Sequence, residues 1–359
     1  MREAPAQALR RLINGYQASQ AIHVAAMLGL ADLLRDGAMG PAAAAARLGV
    51  DADALGRLLR ALAALQLFRE DADGTFSLAP MGEALCANAA GSCHAWARLA
   101  GRPAGWAAWG ALDHSIRTGQ SAFRHLHGTD AWQWRADYPE EGRIFDRAMR
   151  EGSLRIAAAL TRVVDVARFR HLIDIGGGDG SLLLALLRQF PALRGTVFDR
   201  PDVVIGCEAG EAAARLRILG GDFFAGVPEG GDAYILKFIL HDWADADAGL
   251  ILRRCVEAMR PDARLLVIER LLAPANEGPE GKLSDLNMLV NLGGRERSAE
   301  EFAALLEAAG LTMLSVTRID AQVVVLEAAR LAARRISRTP AASTDPAPQS
   351  RESPHAPRQ

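Results

Sequence analysis

Lysine and cysteine are both scarce in this chain of 359 residues. The only lysines are Lys237 and Lys282, so arginine supplies nearly all of the positive charge. The four cysteines are scattered and form no CxxC pair, which excludes the spacing of a zinc site and predicts reduced thiols in a cytoplasmic protein. The formal net charge of −2 gives no general attraction to nucleic acid or to an anionic membrane.

Long apolar runs are also missing. No run reaches the roughly 18–20 residues that cross a bilayer, and no apolar segment with a cleavage site follows Arg10 and Arg11. The sequence therefore predicts neither a membrane span nor a signal peptide. Half of the residues are hydrophobic and 23% are charged, so the chain has enough apolar surface to build large cores. At roughly 100–200 residues per domain, we expect two domains.

The N-terminal part of the chain has the pattern of a winged helix. An apolar helical period runs through residues 7–36, and shorter helices are expected after Pro41 and Asp51. A small hairpin follows, with strands at 67–68 and 76–78. Winged helices often bind DNA, but residues 1–100 hold nine Arg, no Lys and nine Asp plus Glu, a net charge of zero. Because a DNA-reading domain needs a basic face, we favour a dimer interface.

Aromatic residues are concentrated in the next segment, where five of the six tryptophans lie between residues 94 and 150. Such a segment can be ordinary core between helices, or it can line a flat apolar ligand pocket. Both interpretations remain open at this point.

Strands alternate with helices further along the chain, which predicts a doubly wound α/β fold with a parallel sheet. Residues 336–359 are rich in Pro, Ser, Ala and Arg without an apolar period, and we predict a disordered tail there. The expected strands lie at 171–175, 196–199, 215–219, 233–237, 264–270, 312–319 and 321–327.

A glycine-rich loop follows the first of these strands. Glycines at 176, 178 and 180 give a GxGxG spacing, whereas dinucleotide-binding loops have GxGxxG and this chain has Ser181 at the last position. Such a loop lets the backbone approach a ligand at a helix N-terminus. A tight turn without a ligand is the ordinary alternative.

Carboxylates follow the second and third strands. Asp199 is placed to accept hydrogen bonds from ribose hydroxyls, which implies a ligand with a nucleoside. No P-loop is present, so a ligand without a polyphosphate is favoured, and S-adenosylmethionine (SAM) fits that description. Asp222 and Phe223 can hold an adenine through its amine and its ring face, although Asp222 can also be a plain turn residue.

His241 comes just after the fourth strand, at the edge of the sheet where α/β proteins bind ligands. An imidazole with a pKa near ~6.5 is a usable base at neutral pH, and a phenol with a pKa near ~10 needs such a base to lose its proton. A packed or solvent-facing histidine is the ordinary alternative.

Five motifs in this order resemble the SAM-dependent small-molecule O-methyltransferases, of the plant caffeic-acid and acetylserotonin type and their bacterial polyketide-tailoring relatives. The resemblance covers about residues 7–330. The motifs are GGGDG, Asp-Arg-Pro at 199–201, Gly-Asp-Phe-Phe at 221–224, Leu-His-Asp-Trp at 240–243 and Gly-Gly-Arg-Glu-Arg-Ser at 293–298.

The resemblance implies a homodimer with three parts in each chain. These are a winged-helix-like dimerisation domain over 1–93, a helical acceptor-lining segment over 94–160 and a class I methyltransferase domain over 161–330. It implies SAM as the methyl donor, no metal, and a small aromatic hydroxyl as the acceptor. Nitrogen acceptors remain open. A relative that uses the same scaffold for hydroxylation, decarboxylation or rearrangement is the main alternative, and a DNA-binding regulator or a nicotinamide-dependent dehydrogenase is less favoured.

The resemblance also implies roles for individual residues. Gly176 lies against the amino-acid part of SAM, Gly178 belongs to the same loop, Asp199 takes the ribose, Asp222 and Phe223 hold the adenine, and Lys237 lies near it. Phe145 and Met149 match the helix that covers the methyl-donor end.

His241 is the implied base, and Glu269 and Glu296 match an acidic pair that flanks it. Two carboxylates beside an imidazole orient it and stabilise its protonated form. For each glutamate the alternative is a surface ion pair with Arg270, Arg295 or Arg297.

Overall fold

The computed structural model describes residues 4–331, so the predicted disordered tail at 336–359 lies outside the described residues. Its N-terminal part has the predicted order of helices followed by a hairpin. The apolar period of residues 7–36 is divided into three helices, because the chain breaks at Asn14 and again at Gly29, which has a φ of 66°. The elements are α1 (Pro5–Ile13), α2 (Gly15–Leu28), α3 (Leu30–Leu33), α4 (Pro41–Leu48), α5 (Ala52–Ala64), β1 (Phe68–Glu70) and β2 (Phe76–Leu78).

Six helices connect this part to the sheet. The last of them, α11, is 25 residues long and packs against both α6 and the first helix of the sheet region. No helix among the described residues is long and apolar enough to cross a membrane. The six are α6 (His94–Ala100), α7 (Pro103–Gly110), α8 (Leu112–Thr118), α9 (Ala122–His127), α10 (Ala131–Asp137) and α11 (Pro139–Val163).

A seven-stranded sheet forms the C-terminal part, in the order β5-β4-β3-β6-β7-β9-β8. Its strands are β3 (His171–Ile175), β4 (Arg194–Asp199), β5 (Leu216–Gly220), β6 (Ala233–Lys237), β7 (Arg264–Arg270), β8 (Leu311–Arg318) and β9 (Val323–Arg330). The parallel pairing that we predicted is correct for β3 to β7. It is wrong for β8 and β9, which pair antiparallel because the connection between them is far shorter than the dozen or more residues that a parallel crossover needs.

Helices cover both faces of the sheet and bury two apolar cores. The leucines of α12 fill one core together with α11, and apolar residues of α14 and α16 fill the other. Two of these helices, α13 and α15, were not predicted: α13 has only four residues, and lysine, serine and asparagine interrupt the apolar residues of α15. The helices are α12 (Ser181–Gln189), α13 (Pro201–Val204), α14 (Asp245–Ala258), α15 (Pro279–Asn291) and α16 (Ala299–Ala308).

Candidate active site

The predicted functional residues meet at the carboxyl ends of the parallel strands. The strand order reverses between β3 and β6, and ligands of open α/β sheets bind at such a switch point. The loops after β3, β4, β5 and β6 all open towards this edge.

The glycine loop after β3 has the backbone conformation of a ligand cradle. Gly176 has a φ of 69° and Gly178 a φ of 61°, values that favour glycine. A Cβ atom at Gly176 would collide with the side chain of Ile239. Gly176 therefore brings its backbone close to Ile239, whereas a Cβ atom at Gly178 would meet no atom within 4 Å.

A buried carboxylate with unmet hydrogen-bonding capacity lies below this loop. Both carboxylate oxygens of Asp174 are buried and lack a hydrogen-bond partner among the described residues. Burial raises the pKa of Asp174 to about 7, and the charge of Lys237 opposes that rise. Burial in turn lowers the pKa of Lys237. An ammonium group such as that of an amino acid fits the acceptors that Asp174 leaves open.

Asp199, at the end of β4, points back towards the glycine loop. One carboxylate oxygen accepts the backbone N–H of Gly178 at 2.8 Å and the other accepts that of Arg200 at 2.7 Å. Each oxygen keeps a further lone pair for a ligand hydroxyl. The carboxylate and the glycine loop are thus fixed relative to each other.

Beyond β5, the two residues expected at an adenine differ in exposure. Asp222 is exposed, and its carboxylate accepts the backbone N–H of Phe224 at 2.8 Å, which is the geometry of a turn. Phe223 is half-buried, with its ring centroid 4.9 Å from that of Phe224 and 5.9 Å from that of Trp243. Trp243 was not assigned a role from the sequence, although it lies in the same motif as His241.

His241 is buried on the short 3₁₀ turn Leu240–Asp242 after β6, with two glutamates at the same ring nitrogen. Its Nδ1 lies 3.1 Å from Oε1 of Glu296 and 3.5 Å from Oε2 of Glu269. Because a carboxylate accepts hydrogen bonds, Nδ1 carries the proton and Nε2 is left for chemistry. Nε2 lies 3.4 Å from Oδ1 of Asp242.

Both glutamates are fully buried, so neither is a surface residue. Glu269 also fixes the loop that carries the histidine, since its Oε1 accepts the backbone N–H groups of Ile239 at 3.1 Å and Leu240 at 2.9 Å. Glu296 is held by the hydroxyl of Ser284, which donates to its Oε1 at 2.8 Å. Of the three arginines considered as ion-pair partners, Arg270 lies 4.0 Å from Glu296, a long ion pair whose charge helps to lower the pKa of Glu296.

The charges of this cluster favour a protonated imidazole. Burial lowers the pKa of His241, but the charges of Glu269 and Asp242 and the hydrogen bond to Glu296 outweigh it and raise that pKa to about 9. Burial raises the pKa of Glu269 to about 7 and that of Asp242 to about 6, with the charge of His241 opposing both rises. Despite its own burial, Glu296 has a lowered pKa because of the hydrogen bond from His241.

Two residues that the sequence did not single out also hold the histidine loop. Phe238 has a φ of 55°, which is unusual outside glycine, and its ring stacks on that of His241 with 5.6 Å between centroids. Arg297 is 1% exposed and donates to the backbone carbonyls of Leu240 at 2.8 Å and Trp243 at 2.9 Å. Arg297 lies in the GGRERS motif, which could have drawn attention to it. The sequence does not show that it binds the carbonyls of Leu240 and Trp243.

The aromatic segment supplies both core and site. Phe123 and Trp134 pack in a small core with α15, as ordinary core residues do. Trp109 donates its indole N–H to Oδ1 of Asn287 on α15 at 2.9 Å. Trp132 meets Phe145 edge to face, with centroids 5.7 Å apart. Met149, which was predicted to lie over the methyl donor, follows Phe145 by one helical turn on α11.

Comparison with known proteins identifies the family. A model of the O-methyltransferase domain matches residues 109–312, and a model of the O-methyltransferase dimerisation domain matches residues 10–88. The mitomycin biosynthesis 6-O-methyltransferase of Streptomyces lavendulae is 40% identical over 319 residues, which are 86% of this chain and 90% of that protein. The 3-amino-4-hydroxybenzoate 4-O-methyltransferase of Streptomyces cremeus is 39% identical over 325 residues, 88% of each chain.

A solved structure with bound ligands supports the same family assignment. The O-methyltransferase NcsB1 from neocarzinostatin biosynthesis, crystallised with SAM and 2-hydroxy-5-methyl naphthoic acid, superimposes with a TM-score of 0.73 at 35% identity, over 88% of this chain and 96% of that one. These relatives are all named as methyltransferases, so the comparisons do not favour the hydroxylating or decarboxylating alternative. The chain belongs to the SAM-dependent O-methyltransferase family.

Proposed function

We propose that this chain methylates a hydroxyl group on a small aromatic molecule, with His241 as the general base. The observation that carries the proposal is the arrangement at its imidazole. Two buried carboxylates lie at Nδ1, within 3.1 Å and 3.5 Å, so that Nε2 is the nitrogen available to the acceptor. Glu296 and Glu269 act as positioning residues.

When bound, SAM supplies a methyl group that its positively charged sulfur has already activated. The chain contributes geometry and a proton acceptor. Nε2 of His241 takes the proton as the acceptor O–H bond breaks, while the glycine loop and Asp199 hold the donor in line with that oxygen. Holding the reacting atoms in line can lower the barrier by at most about 7–11 kcal/mol, and the base adds about 10²–10⁴-fold in rate.

The proposed SAM site uses the residues at the carboxyl edge of the sheet. Gly176 and Gly178 receive the amino-acid part, Asp199 the ribose, and Asp222 with Phe223 the adenine, with Lys237 nearby. The positive φ angles of both glycines, the open space beside Gly178 and the unpartnered oxygens of Asp174 support this placement. Phe145 and Met149 on α11 cover the methyl-donor end.

We place the acceptor among the aromatic residues of α7 to α11 and the neighbouring α15. The hydroxybenzoate named for the Streptomyces cremeus relative and the naphthoic acid bound to NcsB1 are both flat ring compounds, which supports a ring-bearing acceptor of antibiotic or other secondary metabolism. The limits 1–93, 94–160 and 161–330 remain our proposal for the three parts of the chain.

We also propose a homodimer in the cytoplasm. The match to the dimerisation domain and the exposed apolar side chains of Leu9, Leu12 and Ile13 on α1 support the homodimer. The four cysteines are all free, as expected in a reducing compartment.

Removing the carboxylate of Asp199 tests the SAM site. Asp199→Ala is expected to weaken SAM binding by about 10–100-fold, because two hydrogen bonds to a charged group are lost. Isothermal titration calorimetry with SAM measures this. Asp262→Ala, in the turn before β7 at the opposite edge of the sheet, is the matched control and should bind SAM as the unmodified protein does. Equal SAM affinity for the two variants would contradict the site.

The pH dependence of turnover tests the base. Since the base must be neutral and the pKa of His241 is raised to about 9, kcat/KM should rise from pH 7, reach half of its maximum near pH 9 and level off above it. Glu296→Gln removes one of the contacts that raise this pKa, so its profile should level off at a lower pH. Rates are measured with one phenolic acceptor across the range. Superimposable profiles, or a rate that falls between pH 7 and pH 9, would rule out this role for the pair.

A further inference from the structure

Arg135, on α10, is a half-buried arginine in the proposed acceptor-lining segment. Its Nη1 atom is buried and has no hydrogen-bond partner among the described residues. Two other arginines that are half-buried or buried do have partners: Arg102 pairs with Glu141, and Arg297 with two carbonyls and Asp245. A buried N–H group that lacks a partner costs free energy that a ligand can recover.

Aromatic rings hold this guanidinium on its faces. Its central carbon lies 3.6 Å from the ring centroid of Phe145 and 4.8 Å from that of Trp132. Stacking of this kind occupies the flat faces and leaves the N–H edges, which match a planar carboxylate in two parallel hydrogen bonds. The side chain is thus held between aromatic rings while its Nη1 atom has no hydrogen-bond partner among the described residues.

The guanidinium lies next to the proposed methyl-donor end of the site, because its central carbon packs 3.6 Å from the ring centroid of Phe145. Burial lowers the pKa of Arg135 to about 10, so it stays charged at neutral pH, and the charge of Asp242 is the largest effect that opposes this. Asp242 lies 3.4 Å from Nε2 of His241, the nitrogen assigned to the acceptor. With Phe145 at the proposed methyl-donor end, Arg135 belongs to the part of the chain that we assign to the acceptor.

We propose that Arg135 binds a carboxylate carried by the aromatic acceptor, and so selects hydroxylated aromatic acids over neutral phenols. This inference rests on the proposed function, because it takes the Nε2 side of His241 as the acceptor site. The amino-acid carboxylate of SAM has the same chemistry, and the experiment separates the two sources.

The test measures binding without turnover, on protein saturated with S-adenosylhomocysteine, by calorimetry with two pairs of ligands. The pairs are 3-amino-4-hydroxybenzoate with 2-aminophenol, and 2-hydroxy-1-naphthoate with 2-naphthol. We expect the unmodified protein to bind at least one acid about 10–100-fold more tightly than its neutral partner. Arg135→Leu and Arg135→Gln should abolish this preference, and Arg135→Lys should keep part of it. Arg143→Leu, an exposed arginine on α11, is the charge-matched control and should keep all of it.

Three results would overturn the proposal. The first is that the unmodified protein shows no preference for the acid in either pair, and the second is that the preference survives in Arg135→Gln. The third is that the Arg135 variants lose affinity for S-adenosylhomocysteine, which would assign Arg135 to the methyl donor. Thermal unfolding of each variant establishes that it is folded, and the glutamine and lysine variants serve if the leucine variant is not. Acid preference with no methyl transfer to any acceptor would count against the proposed function alone.

Discussion

His241→Ala is expected to lower kcat by about 10²–10⁴-fold, because the variant lacks the proposed general base. The Kd for SAM should change little, since we assign the side chain to the acceptor and its ring contacts are with Glu296, Glu269 and Phe238. Transfer of label from methyl-labelled SAM to a panel of phenols measures kcat, and calorimetry on the same preparations measures SAM affinity.

A second histidine of the sheet provides the control for that variant. His171 begins β3 at the opposite edge, where Nε2 lies 2.9 Å from the hydroxyl of Thr196, and His171→Ala should keep its turnover. Loss of SAM binding in proportion to turnover in His241→Ala would refute the assignment of a base. Turnover close to that of the unmodified protein would do the same.

Arg297→Met is expected to lower the free energy of unfolding by about 3–5 kcal/mol. The side chain is 1% exposed, and its loss leaves the carbonyls of Leu240 and Trp243 buried without their donor. Since these carbonyls border His241, turnover should fall as well. Urea unfolding monitored by tryptophan fluorescence gives the stability.

The neighbouring Arg295 makes a matched control two residues away. It is 46% exposed and forms surface ion pairs with Asp245 at 3.4 Å and Glu301 at 3.1 Å. Surface pairs contribute about 0–1 kcal/mol, so Arg295→Met should be nearly neutral. If Arg297→Met and Arg295→Met lowered the free energy of unfolding equally, the buried hydrogen bonds of Arg297 would not be what stabilises the loop that carries His241.

Local sequence patterns were enough to predict most of the strands and helices, and the edge of the sheet at which we propose the active site. Strands β6 and β7 were predicted with their observed limits, because continuous apolar runs between turn residues leave few alternatives. The position of His241 just after β6 follows from where that strand ends along the chain. Periodicity failed for α15, whose apolar residues are interrupted, and the direction of β8 and β9 depended on the length of their connection.

Contacts between distant parts of the chain could not be predicted, because no local sequence pattern shows which side chains meet. Glu296 is 55 residues from His241 along the chain, yet it lies 3.1 Å from its Nδ1 because β7 and the loop after α15 pack on the turn after β6. The motif resemblance indicated an acidic pair, but the burial of that pair and the raised pKa of the imidazole arise from the packing. Periodicity and the alternation of strands and helices along the chain therefore determined the fold class, and the resemblance of five motifs indicated the family. The electrostatics of the site, the support from Arg297 and the unpartnered Nη1 of Arg135 came from the tertiary packing, because they depend on which groups are removed from water together.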